Sequence, residues 1–157
     1  YNQLSQDLGG YVERISPSAF TRTLNARSDV YAFWGHDEKE ILGSSAAGTM
    51  TLESRPDGLH FDILAPTSAA NRIESIQRGD ASGVSFGFIT DPNGSNYDMT
   101  GPETIRTLTS VHLLEISVGV AFAAYPSAHA ETALRKKDNG NTGEIDALRI
   151  ELALFGA

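Results

Sequence analysis

The chain is 157 residues long, and 37 of them are Leu, Ile, Val or Phe, enough for one hydrophobic core and too few residues for two full domains. With 12 Lys and Arg against 20 Asp and Glu it carries a net charge of −8, which argues against a basic face for nucleic acid. Cysteine is absent, which removes disulfides, thiolate nucleophiles and Cys-ligated metal sites, and no apolar run approaches the roughly 18 residues of a membrane span. The sequence opens at Tyr1 without methionine or a signal-peptide pattern, as expected of a processed or excised form.

Short apolar runs broken by turns, with 15 glycines, predict a β-rich α+β domain. Ser16-Pro17 reads as a cap followed by proline at the first helical position, so a short helix is expected over Pro17 to Ala26. Val30 to Trp34 is β-branched and aromatic and predicts a strand that delivers Gly35-His36-Asp37 at its end. Met50 and Leu52 alternate with Thr51 and Glu53, Pro56-Asp57-Gly58 supplies a turn, and Leu59, Phe61 and Ile63 alternate on the return. This is a hairpin signal. Ala69, Ile73 and Ile76 have helical spacing before Gly79. Val84 to Ile89, Thr104 to Leu108 and Val111 to Val120 predict three further strands.

After Ala133 the character changes, and a division into a domain over 1–135, a linker over 136–143 and a C-terminal helix over 144–157 is expected. The linker is polar and glycine-containing, and Ile145, Leu148, Leu152 and Phe155 then fall at helical spacings.

Three segments hold residues that can do chemistry. In a strand, Ser85 shares a face with Gly83 and Gly87, so its hydroxyl sits where a substrate backbone can approach closely; the same pattern also suits a small-residue strand packed on a helix. Gly83-Val84-Ser85-Phe86-Gly87 matches G-x-S-x-G, but Asp91-Pro92-Asn93-Gly94 follows too soon for the strand-to-helix elbow that motif needs. His36 and Asp37 end a strand. Alternation puts Leu114, Ile116 and Val118 on one face and Glu115 with Ser117 on the other, where a carboxylate needs a partner. Arg106 is one possible partner, which would make Glu115 structural. Glu13 and Asp37 are the competing carboxylates for a histidine partner. His60 and Asp62 could join a metal site, but on the polar face of a hairpin they suit a solvated pair, and no metal or cofactor is expected.

Taken in order, Gly9-Gly10-Tyr11-Val12-Glu13-Arg14-Ile15-Ser16-Pro17-Ser18-Ala19-Phe20, Trp34-Gly35-His36-Asp37, Leu42-Gly43, Asp57-Gly58-Leu59, Ser82 to Phe88, Leu113 to Val118 and Ala124-Tyr125-Pro126-Ser127-Ala128 resemble the prohead (capsid maturation) serine proteases of tailed bacteriophages. The resemblance runs from about Asp7 to Ala128. It implies a fold similar to herpesvirus assemblin, a β-barrel surrounded by helices, and a serine endopeptidase with Ser85 as nucleophile, His36 as base and Glu115 as the acidic member. It further implies cleavage of the major capsid protein or scaffold precursor, and of the enzyme itself, in the procapsid interior within the cytoplasm of the infected bacterium. A homodimer or higher homo-oligomer is expected, with no nucleic-acid or membrane partner. A small serine esterase, or a non-catalytic scaffold or capsid-binding module of the same fold, would share the same residues.

Overall fold

The computed structural model describes residues 1–134 and 148–154. Its strands are β1 (Val12–Ile15), β2 (Tyr31–Trp34), β3 (Asp37–Ser44), β4 (Met50–Ser54), β5 (Leu59–Ala65), β6 (Val84–Thr90), β7 (Ser95–Asp98), β8 (Ile105–Leu108), β9 (Val111–Val118), β10 (His129–Leu134) and β11 (Leu148–Leu154). Two helices join them, α1 (Thr21–Ala26) and α2 (Ala70–Gln77), the second preceded by a 3-10 turn over Thr67–Ala69.

The strands form three sheets, ordered β1-β8-β7, β10-β11-β5-β4 and β3-β2-β9-β6. The β-rich α+β class is as expected. The expected closed barrel is not what the described residues form. Closure requires the first and last strands of one sheet to pair, whereas among the described residues the terminal strands of each sheet do not pair with each other. Between them lies one core that includes Phe20, Ile15, Leu59, Ile63, Ile73, Leu108, Leu113 and Ile116.

The β4–β5 hairpin follows the alternation of its sequence, with Leu59, Phe61, Ile63 and Ala65 buried and the turn at Pro56-Asp57-Gly58. In the α2 segment Ala69, Ile73 and Ile76 are buried, and Gly79 closes the helix in the left-handed conformation with φ +80°. The first helix is shorter than expected. Pro17 lies in a turn closed by the Ala19 N–H on the Ser16 carbonyl at 3.0 Å, a position that suits its fixed φ, and α1 starts only at Thr21.

The C-terminal segment is a correction. Residues 148–154 are the strand β11, paired antiparallel with both β5 and β10, and not part of a helix. Beside the helical spacing of Ile145, Leu148, Leu152 and Phe155, the sequence also alternates at Leu148, Ile150, Leu152 and Leu154, and in register these four stand opposite Ala65, Ile63, Phe61 and Leu59, the buried set of β5. An available strand edge with a matching apolar period decides between the two readings. The expected linker over 136–143 and the flanks of the expected helix lie outside the described residues.

Candidate active site

The sheet β3-β2-β9-β6 carries the chemistry-bearing residues. Its inner face holds Ala32, Val84, Ile116 and Val118, all buried, and Phe86 packs edge-on to Phe20 at 6.0 Å and stacks on Tyr125 at 5.9 Å. The outer face carries the polar set, held rigidly because the inner face is locked in the core.

His36 sits in the two-residue connection of the β2–β3 hairpin. Trp34 and Asp37 are partners, and Gly35 and His36 between them have φ +60° and +65°. A two-residue turn that matches strand twist needs positive φ at both positions. Glycine accepts this at no cost, and histidine is among the few other residues that adopt it. Both turn N–H groups are anchored on β9: Gly35 donates to the Val118 carbonyl at 2.8 Å and His36 to Ser117 Oγ at 3.1 Å. The imidazole is about half exposed, and its Nδ1 lies 2.8 Å from Glu115 Oε1. With a carboxylate as acceptor, Nδ1 donates, and in the neutral form of the ring Nε2 is the nitrogen with the lone pair.

Glu115 is aimed by an irregularity. Gly87 is opposite Glu115 and Phe88 is opposite Leu113, so Leu114 is an extra residue bulged out of β9. The bulge corrects the simple alternation expected here: Leu113 is buried and Leu114 is exposed, while Ile116 and Val118 remain inward. The Glu115 carboxylate, itself mostly buried, accepts from Ser117 Oγ through Oε2 at 2.7 Å as well as facing His36.

Ser85 lies in β6 directly opposite Ser117, with Gly87 opposite Glu115. These four residues share the outer face, and side chains so paired across antiparallel strands stand about 5 Å apart. A Cβ on Gly87 would lie 2.7 Å from Glu115 Oε1 and 3.0 Å from its Cγ, so only glycine leaves room for the carboxylate. The Ser85 hydroxyl has no hydrogen-bond partner among the described residues. Residues 83–87 run straight into β6 with no helix behind them, so the G-x-S-x-G match is not a nucleophile elbow.

The competing residues are engaged elsewhere. Asp37 Oδ1 accepts the Lys39 N–H at 2.9 Å. Glu13 is buried and takes Arg106 Nη1 at 3.1 Å and the Tyr125 hydroxyl at 3.1 Å. Arg106 therefore pairs with Glu13 and not with Glu115. Burial pushes the Glu13 carboxyl up against the opposing pull of Tyr125 and Arg106, and burial followed by the charge of Glu13 pushes the Tyr125 hydroxyl up. His60 Nε2 lies 3.0 Å from both Asp57 oxygens across the hairpin turn. Ser117 had no role assigned from sequence, although its spacing of two from Glu115 on one strand was the available signal.

No solved structure matches the chain. Its sequence does match the family described as caudovirus prohead serine protease, over residues 1–142, and a match across that much of the chain makes it a member of that family.

Proposed function

We propose that this protein is the maturation endopeptidase of a phage prohead, with Ser85 as nucleophile, His36 as general base and Glu115 as the group that orients the base. The 2.8 Å contact between His36 Nδ1 and Glu115 Oε1, on the sheet face that also bears Ser85, carries the reading. Glu115 holds the imidazole in the tautomer whose Nε2 can take the serine proton, and it stabilises the imidazolium that results. Ser85 Oγ then attacks the scissile carbonyl. The proton held on Nε2 passes to the leaving amine, and water releases the acyl group from Ser85 with His36 again as base.

The substrate in this reading is the major capsid protein or scaffold precursor, and the enzyme's own chain, inside the procapsid in the infected cell. Membership of the prohead protease family supports that assignment. Self-association would delay cleavage until the protease is concentrated there. A fluorophosphonate probe should label Ser85, and Ser85→Ala should abolish processing of the cognate capsid precursor while melting like the parent. Undiminished processing by a folded Ser85→Ala protein would remove Ser85 from the mechanism. A chain that neither takes the probe nor cleaves the precursor would favour a capsid-binding module.

A further inference from the structure

We propose that Ser117 is a positioning residue for the candidate triad, acting through both His36 and Glu115; the inference rests on the assignment above. Ser117 is fully buried, and a hydroxyl has one hydrogen to give and lone pairs to receive. Its hydrogen goes to Glu115 Oε2 at 2.7 Å, and its oxygen receives the His36 backbone N–H at 3.1 Å. Glu115 Oε1 in turn faces His36 Nδ1 at 2.8 Å. The three residues form a closed ring of hydrogen bonds in which histidine is held at backbone and side chain, and the carboxylate at both oxygens.

Each bond answers a specific freedom. Gly35 and His36 lie between the paired residues Trp34 and Asp37, so their N–H groups take no part in the hairpin's own ladder and need outside acceptors. Gly35 finds a backbone carbonyl on β9, whereas His36 finds only the Ser117 hydroxyl. A carboxylate fixed through one oxygen can still rotate about its last torsion, which is broad and weakly restrained. The second bond, from Ser117, fixes that plane. Ser117 stands beside Ser85 across the strands, but its hydrogen is committed and its side chain is closed to substrate, so it supports the nucleophile's partners without competing as a nucleophile.

The test measures how fast a fluorophosphonate probe labels Ser85, together with how much label is finally taken up. Ser117→Ala should reach the same final stoichiometry, because folded sites still react, but at a rate lower by about 10- to 100-fold, the scale of loss for a misplaced catalytic group. Peptide cleavage should lose kcat by a similar factor with KM nearly unchanged. Ser117→Thr, which keeps the hydroxyl, should recover most of the rate, and Ser117→Cys, nearly isosteric with a weaker donor, should not. In a Glu115→Gln background, Ser117→Ala should cost little more, since the two act as one unit. Labelling of Ser117→Ala at the parental rate, or an equal further loss in the Glu115→Gln background, would overturn the proposal. If the parent protein itself were not labelled at Ser85, the nucleophile assignment would fall first, and this inference with it.

Discussion

Two carboxylates in this protein lie on strands, are largely shielded from water and have a basic residue for a partner, yet their surroundings suit different ends. Glu13 on β1 stands directly opposite Arg106 on β8, and the pair is closed off by the Tyr125 hydroxyl on one side and Thr90 on the other. Arginine does not lose its proton in proteins, so the cation of that cluster keeps its charge at neutral pH. Glu115 faces a histidine whose charge can change and whose ring reaches solvent. On the β6 side its neighbours are Gly87 and Ser85, which leave room for another molecule. A buried carboxylate alone therefore says little; the kind of cation beside it, and whether that cation can be reached, separates a structural pair from a proton-handling one.

The largest effect should come from disrupting the proposed proton-handling pair. Glu115→Gln should lower turnover of the capsid precursor by about 10⁴-fold, the scale seen when a triad acid becomes an amide, with little change in melting temperature. Asp37→Asn should do little, because Asp37 serves its own turn. The opposite ranking in two folded variants would transfer the acidic role to Asp37.

Removing the structural pair should give the converse phenotype. Glu13→Ala leaves Arg106 buried with Nη1 unpaired, beside an Nε that already has no partner among the described residues. Urea unfolding should show a loss of about 3 kcal/mol, the scale for breaking a buried pair, while activity per folded molecule stays near parental. A drop in kcat at unchanged stability would place Glu13 in the chemistry and erase the contrast.

Gly87→Ala tests the room left for Glu115. The new Cβ would displace the carboxylate, so turnover should fall by about 10²-fold, with a smaller proportional effect on stability. Parental kcat would mean that the carboxylate's position is not critical.

The smallest effect concerns a third carboxylate, Asp91, whose partner Arg22 is largely exposed to solvent. Ser110 Oγ at 2.6 Å, and then Arg22 at 2.5 Å, hold Asp91 below the usual carboxylate range. Its stabilising contribution is present above about pH 4, the ordinary aspartate value, and is lost as pH falls through the depressed folded pKa. Asp91→Asn should flatten that part of the acid-unfolding curve without altering activity at pH 7. An unchanged curve would show that the interaction adds no stability.

Much of the fold is legible where one face is buried. The β4–β5 hairpin, the α2 segment and β6 follow their apolar periods because core burial dominates there. The polar start of β3, Asp37 to Lys39, reads as a loop because it is solvated on both faces, and β7, Ser95–Asp98, is too polar to announce a strand. Both are set by their partners. Leu114 could not be identified as a bulge, since an extra residue leaves no mark on composition. Of the candidate site, Ser85 between glycines, His36 at a strand end and Glu115 in an apolar run are each visible in the sequence. Their convergence is not, because it depends on a non-sequential strand order, β2-β9-β6.

The placement of β11 bears on how the chain assembles. The last described strand lies inside its sheet, between β10 and β5, and its pairing reaches from Leu59 to Leu154. So long a loop must close before any of those backbone bonds form, which makes this a slow contact. Until it closes, β5 presents the N–H and carbonyl groups of one whole edge to anything that can pair with them, including the same edge of another copy. A slow step of folding and a period of exposure to aggregation thus fall on the same strand edge.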